Sequence, residues 1–216
     1  MDKQYENILF DMDGVLINSM KYHIEAWKKA FDKYNISTTE KRITELAGMT
    51  SKETIEIITA EDNILCNDKL ILDIKTQKGI ELDKIFKVEL YSGVLNYLKK
   101  LKKKGFVLAL VSGARNYEVE MTIKKYFMGL FDVVITGDDV KFGKPNPEPY
   151  QRVIDKLNLV KSKSVIIEDA LSGIQSANSA GIDVFVLTTT FSANELAGAT
   201  KIFNSHKELF EELLKN

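Results

Sequence analysis

The chain has 216 residues, 44% of them hydrophobic and 28% charged, values that exclude a disordered or fibrous protein and allow a core domain with a smaller insertion. Its 30 Lys and Arg against 31 Asp and Glu leave a net charge of −1, so no broad field attracts nucleic acid or an anionic membrane, and any anion site must be local. The single cysteine, Cys66, and the two histidines, His23 and His206, exclude an internal disulfide and a cysteine-based zinc centre.

In chain order, Met1 to Asn7 lack the basic-then-apolar pattern of a signal peptide, and no apolar run approaches the roughly 18 residues of a membrane span. A reducing, cytoplasmic setting without membrane or nucleic-acid partners is expected. Ile8-Leu9-Phe10 is the first short apolar run that reads as a buried parallel strand. From about Ser19 to Phe86 the pattern predicts helices and no strand. Tyr22, Ala26, Trp27, Ala30, Phe31 and Tyr34 recur at helical spacing and define one apolar stripe, and Thr50 with Glu53 forms a capping box that starts another helix after Gly48. Beyond it, the runs Val107 to Val111, Val133 to Ile135, Val165 to Ile167 and Val184 to Leu187 alternate with amphipathic stretches at Gly93 to Lys104, Glu118 to Phe127, Pro147 to Leu157 and Ser172 to Ala180. That βαβ alternation predicts a doubly wound parallel sheet with an inserted helical segment.

Function in such a sheet gathers at the carboxyl ends of the strands. The first run ends in Asp11-Met12-Asp13-Gly14, whose two carboxylates project to one side of an extended chain. Their repulsion is relieved by a cation or a shared proton, so the pair suggests a Mg²⁺ site or an acid/base pair; a simple Asp-Gly turn is the alternative. The second run ends in Ser112-Gly113-Ala114-Arg115-Asn116, an anion cradle or an ordinary helix cap. After the third, the loop containing Gly143-Lys144-Pro145 fixes a lysine that can neutralise phosphate and restrain carboxylates. After the fourth come two more acids, Glu168 and Asp169.

Taken together, Asp11-Met12-Asp13-Gly14-Val15-Leu16, Ser112, Lys144-Pro145 and Glu168-Asp169 resemble, in order and spacing, the motifs of the haloacid dehalogenase superfamily, and the resemblance covers nearly the whole chain. Gly143-Lys144-Pro145 and Glu168-Asp169-Ala170-Leu171-Ser172-Gly173-Ile174 are similar to the branch of phosphoglycolate phosphatases and β-phosphoglucomutases, which carry a helical cap after the first motif. The resemblance implies a Rossmann-like core at residues 1–18 and 87–216, a cap at 19–86, and a phosphatase of small phosphorylated metabolites such as sugar phosphates or phosphoglycolate. It implies Asp11 as covalent nucleophile and Asp13 as acid, then base. Mg²⁺ would be held by the Asp11 carboxylate, the Asp13 backbone carbonyl, Asp169 and Glu168, while Ser112, Gly113 and Lys144 would bind the phosphoryl group.

Candidate substrate contacts are Arg115, Asn116, Lys52 and His23, each with a plainer reading: a surface arginine for Arg115 and a half-buried packing residue for His23. The alternatives to hydrolysis are a sugar phosphomutase, an inorganic pyrophosphatase and a non-catalytic phosphometabolite-binding protein. The mutase needs a cationic grip on a second phosphate, and Lys52 is a poor substitute for an arginine fork. Ala47 and Met49 stand where pyrophosphatase relatives carry an acid and an arginine, which weakens that reading. Intact Asp11 and Asp13 weigh against the binding protein. Asn18 stands near the cap hinge where many relatives carry a second aspartate. The lysines from 99 to 104 close an amphipathic helix before Gly105 and read as solvated. His206, before a C-terminal helix, reads as a surface residue, and a monomer is expected.

Overall fold

The computed structural model describes residues 5–215; residues 1–4 and 216, which the expected core segments include, lie outside the described residues. The strands are β1 (Asn7–Phe10), β2 (Val107–Val111), β3 (Val133–Ile135), β4 (Ser164–Glu168), β5 (Asp183–Leu187) and β6 (Lys201–Phe203), all parallel in the order β3-β2-β1-β4-β5-β6. Alternate residues explain why each run is apolar throughout. Ile8, Phe10, Leu108, Leu110, Val165 and Ile167 enter one hydrophobic cluster, whereas Leu9, Ala109, Val111 and Ile166 enter another on the opposite face. The first cluster is closed by α5 (Val94–Lys103), α6 (Asn116–Thr122) and α9 (His206–Lys215), the second by α7 (Glu148–Leu157) and α8 (Leu171–Ala180). The strand β6 is an addition to the sequence reading: three residues, two of them exposed, carry too little apolar signal to announce an edge strand. The stretch predicted as one helix to Phe127 is α6 followed by a π-helical turn over Ile123–Phe127.

Between β1 and α5 the chain forms the four helices α1 (Met20–Asp32), α2 (Glu40–Glu45), α3 (Ser51–Glu61) and α4 (Asp68–Ile85). The capping box at Thr50 and Glu53 starts α3 as expected. Trp27, Ala30 and Phe31 from α1 meet Ile43, Ile55, Ile58 and Ile74 in a third cluster built within this insertion. The two connections to the sheet run side by side, with Ile17 bridged antiparallel to Leu90 and the Asn18 N–H donating to the Glu89 carbonyl at 2.7 Å. No helix among the described residues is long and apolar enough to cross a membrane.

Ile166 is fully buried in β4 between β1 and β5. Ile166→Ala should lower the unfolding free energy by about 3 kcal/mol, read as a reduced urea midpoint with unchanged slope.

Candidate active site

Register brings the functional residues together. Phe10 lies opposite both Leu110 and Ile167, so the residue after β1, Asp11, emerges beside the ends of β2 and β4, and its N–H donates to the Ile167 carbonyl at 2.9 Å. This is where strand order reverses from one side of the sheet to the other, the usual position of a crevice in open α/β folds. The chain then turns sharply: the Leu16 and Ile17 N–H groups both donate to the Met12 carbonyl. Gly14 makes the turn with φ of +79°, and a Cβ there would lie 1.9 Å from the Asp169 carboxylate, so only glycine allows the approach.

Oxygens of Asp11, Glu168 and Asp169 come within 4.8 Å of one another, all three side chains buried. The Lys144 ammonium, itself 1% exposed, is the cation among them. Its three N–H groups go to Asp11, to Glu168 at 2.7 Å and to the Val111 carbonyl at 3.3 Å. Tyr150 donates to Glu168 at 2.5 Å, and the Asp169 N–H donates to the other Glu168 oxygen at 3.1 Å. Thr190 donates to Asp169. Burial, then the charge of Glu168, pushes the Asp169 carboxyl up to about 8, and burial also raises Asp11 well above the carboxylate range despite Lys144. Fully ionised, three buried acids against one lysine would carry an excess of two negative charges; protons relieve it in the free protein, a divalent cation would relieve it when bound, and oxygen ligands are what Mg²⁺ takes. Glu168 has both oxygens engaged, so Asp11 and Asp169 are the carboxylates free to hold such an ion, with Glu168 adding charge from behind.

Asp13 lies in a different environment. It accepts hydrogen bonds from Ser19 and is 3.2 Å from His23 Nε2, with the Ser112 hydroxyl 3.5 Å from its other oxygen. Burial pushes its carboxyl up, but the charge and hydrogen bond of His23, the Ser19 hydroxyl and the charge of Lys78 outweigh it and leave Asp13 below the usual range. Asp11, Asp13 and Asp169 face a cavity of about 80 Å³ that the insertion closes from above with His23, Lys78 and the loop from Leu46 to Met49. The Ser172 hydroxyl donates to the Ala47 carbonyl across the same seam.

Of the residues singled out from sequence, Asp11, Asp13, Gly113, Glu168, Asp169, His23 and Arg115 line this cavity, and Ser112 and Lys144 touch its carboxylates. Lys52 does not reach it: the side chain is exposed, lies 3.8 Å from Glu56, and borders a neighbouring cleft of about 440 Å³ instead. Asn116 also points away, bonding Glu120 at 3.3 Å. His206 is half-buried rather than freely exposed: its ring stacks on Tyr91 and its Nε2 bonds the Val15 carbonyl at 2.7 Å. Sequence reasoning missed Lys78, Tyr150, Ser19 and Thr190. Thr190 follows β5 and the strand-end rule applies to it; Lys78 sits mid-helix with nothing local to mark it.

Residues 8–187 match the family model described as Haloacid dehalogenase-like hydrolase. Validoxylamine A 7'-phosphate phosphatase from Streptomyces hygroscopicus is 31% identical over 95% of this chain and 96% of its own length. A phosphorylated carbohydrates phosphatase from Thermotoga maritima is 34% identical over 82% of each. Among solved structures, a β-phosphoglucomutase candidate from Bacteroides vulgatus aligns over 99% of this chain and 92% of its own with 30% identity and a TM-score of 0.89. CbbY from Rhodobacter sphaeroides, solved with phosphate, aligns over 95% and 96% with 25% identity and a TM-score of 0.80.

Asp11 and Asp169 bind protons more tightly folded than unfolded, and His206, held below its ordinary value of 6.5, opposes them only in the more acidic range, so above it the metal-free native state holds more protons at these groups than the unfolded chain. Stability in chelator should therefore fall as pH rises from about 6.5 to 8, seen as a falling urea midpoint. Asp169→Asn should flatten that slope; an equal slope in the variant would remove Asp169 as its source.

Proposed function

The chain belongs to the haloacid dehalogenase-like hydrolase family and is a phosphoric monoester hydrolase, and we propose that it is a Mg²⁺-dependent phosphatase of small sugar-type phosphates acting through phosphorylated Asp11. One observation carries this reading. Two carboxylates only two residues apart face the same cavity in opposite electrostatic states, Asp11 inside a buried acid cluster tied to Lys144 and Asp13 outside it, held by Ser19 and His23. Such division suits two different tasks.

In the first displacement an Asp11 oxygen attacks phosphorus, the bond from phosphorus to the leaving oxygen breaks, and Asp13 gives that oxygen a proton. In the second, Asp13 takes a proton from water as the water attacks the phosphorus of the aspartyl phosphate, freeing Asp11 and releasing inorganic phosphate. Asp13 is held ionised in the free protein, which suits the base role; a dianionic phosphoryl group beside it raises its proton affinity, which suits the acid role. Lys144 keeps Asp11 aimed, and a bound divalent cation would add the charge that keeps it ionised, so one face of the nucleophile is fixed and the other is open to the cavity. Ser112 and the backbone N–H of Gly113 are the donors for phosphoryl oxygens. A divalent cation held by Asp11, Asp169 and the Asp13 backbone carbonyl would supply charge neutralisation for the transferring group. The insertion is the proposed cap, and its closure over the cavity excludes bulk water during transfer.

The relatives named above as phosphatases support a carbohydrate-type substrate. Wild-type protein with Mg²⁺ should release phosphate from members of a panel of sugar phosphates, and chelator should stop the release until Mg²⁺ is restored. Asp11→Asn and Asp13→Asn should each lower kcat by about a thousandfold or more while preserving the thermal unfolding profile. Turnover by Asp11→Asn at the wild-type rate would remove it as nucleophile.

A further inference from the structure

Two cations line the cavity besides the carboxylates: Lys78 from α4 and Arg115 immediately before α6. Both are met by a buried acid that has no place in the displacement steps. Glu118, on α6, is 5% exposed; its Oε1 accepts from Arg115 Nε at 2.8 Å and from Arg115 Nη2, and it lies 4.0 Å from the Lys78 ammonium. The other oxygen, Oε2, is buried without a hydrogen-bond partner. The arginine cannot swing freely toward α4, because its Nη1 packs against Gly79, where a Cβ would be only 2.5 Å away. The edge of the guanidinium that pairs best with an oxyanion is therefore already taken from the core side.

Each acid near the cap side of the cavity already has its own basic or hydroxyl partner. Glu118 holds Arg115 and faces Lys78, while Asp13 is met by His23 and Ser19. A second phosphate or a carboxylate on the leaving group would have to compete with the Glu118 carboxylate for Arg115 and Lys78 and lie near a second acid, Asp13, at a depth where salt screens little. A hydroxyl-bearing, uncharged leaving group meets no such penalty and can bond the polar groups present.

We propose that Glu118 is a specificity-determining positioning residue, which holds Arg115 and faces Lys78 so that the site takes phosphomonoesters with uncharged, polyhydroxylated leaving groups and disfavours bisphosphates and phosphorylated acids. The inference rests on the phosphatase reading above and narrows it, setting sugar monophosphates ahead of phosphoglycolate. It also explains why the cavity can contain an arginine without gripping a second phosphate as a phosphomutase must.

The test compares kcat/KM for fructose 6-phosphate and fructose 1,6-bisphosphate, with phosphoglycolate as a second anionic probe, using the full chain and Mg²⁺. Wild type should favour the monophosphate by on the order of tenfold. Glu118→Gln frees Arg115 and should shift the ratio toward the bisphosphate by on the order of tenfold, mainly through KM. The double variant Arg115→Met/Glu118→Gln, with no arginine to free, should lose that shift; a purely structural role for Glu118 would lower both substrates together in either variant. Wild-type preference for the bisphosphate, or a folded Glu118→Gln with an unchanged ratio, overturns the proposal. Should Glu118→Gln fail to fold, the wild-type ratio alone decides. Failure of wild type on every monophosphate would instead overturn the phosphatase reading, and this inference with it.

Discussion

Asp11, Glu168 and Asp169 are held within 4.8 Å of one another, all three buried at the floor of the cavity, with Lys144 wedged between two of them. Ionised carboxylates so placed repel strongly and lose hydration, and one lysine offsets only part of that. Neighbouring features answer the same strain. Tyr150 and the Asp169 N–H saturate Glu168, Thr190 supports Asp169, and Gly14 yields the space that any side chain would deny. An acid cluster this demanding is kept folded by the sheet: it sits on the ends of β1 and β4, whose residues are fully buried on both faces and cannot shift register without exposing an entire hydrophobic row. The stable part of the molecule thus carries the unstable part, which is the relation expected when binding of a cation and a phosphoryl group completes the site.

The same geometry separates neighbours. Asp11 and Asp13 share one extended stretch and one cavity, yet the turn after β1 carries Asp13 off the cluster to Ser19 and His23, both at the entry to the insertion. On the proposed mechanism, the residue that serves the leaving group is consequently wired to the insertion, while the residue that attacks phosphorus is wired to the sheet. A movement of the insertion would alter the surroundings of Asp13 and leave those of Asp11 nearly intact.

The core was legible in the sequence because its strands are buried on both faces and so read as unbroken apolar runs, each followed at once by a polar functional residue. Asp11, Ser112, Glu168 and Asp169 were found by that adjacency, and Lys144, nine residues beyond the end of β3, by the proline-bearing loop that follows that strand. The rule weakens where burial weakens: β6 has two exposed residues of three, and it passed unseen. It fails outright for the insertion, where helices carry function on side chains chosen by tertiary approach. Lys78 is buried in the middle of α4 beside Gln77, a placement that no helical pattern foretells because its partners, Glu118 and Asp13, come from distant parts of the chain. Lys52 misled for the converse reason: proximity in sequence to Gly48 does not orient a side chain, and the capped start of α3 turns it toward Glu56.

The insertion has its own hydrophobic cluster and is joined to the sheet by two strands of chain bonded to each other at Ile17 and Leu90. A body with its own core and a paired attachment can tilt while keeping that core packed, and many of the contacts at the seam are polar, such as Ser172 to Ala47, His23 to Asp13 and Lys78 to Glu118. Polar seam contacts exchange readily for water, so under the proposed cap movement closing would depend in part on what lies in the cavity. An arrangement of that kind lets the substrate's own contacts with His23, Lys78 and the loop at Gly48 decide how long the site stays closed. On the proposed mechanism, attack by Asp11 can then remain constant while the substrates admitted change with residues of the insertion and the α6 edge, because those residues do not bond the Asp11, Glu168 and Asp169 carboxylates; Ser19, His23 and Lys78 bear on proton transfer as well, through Asp13.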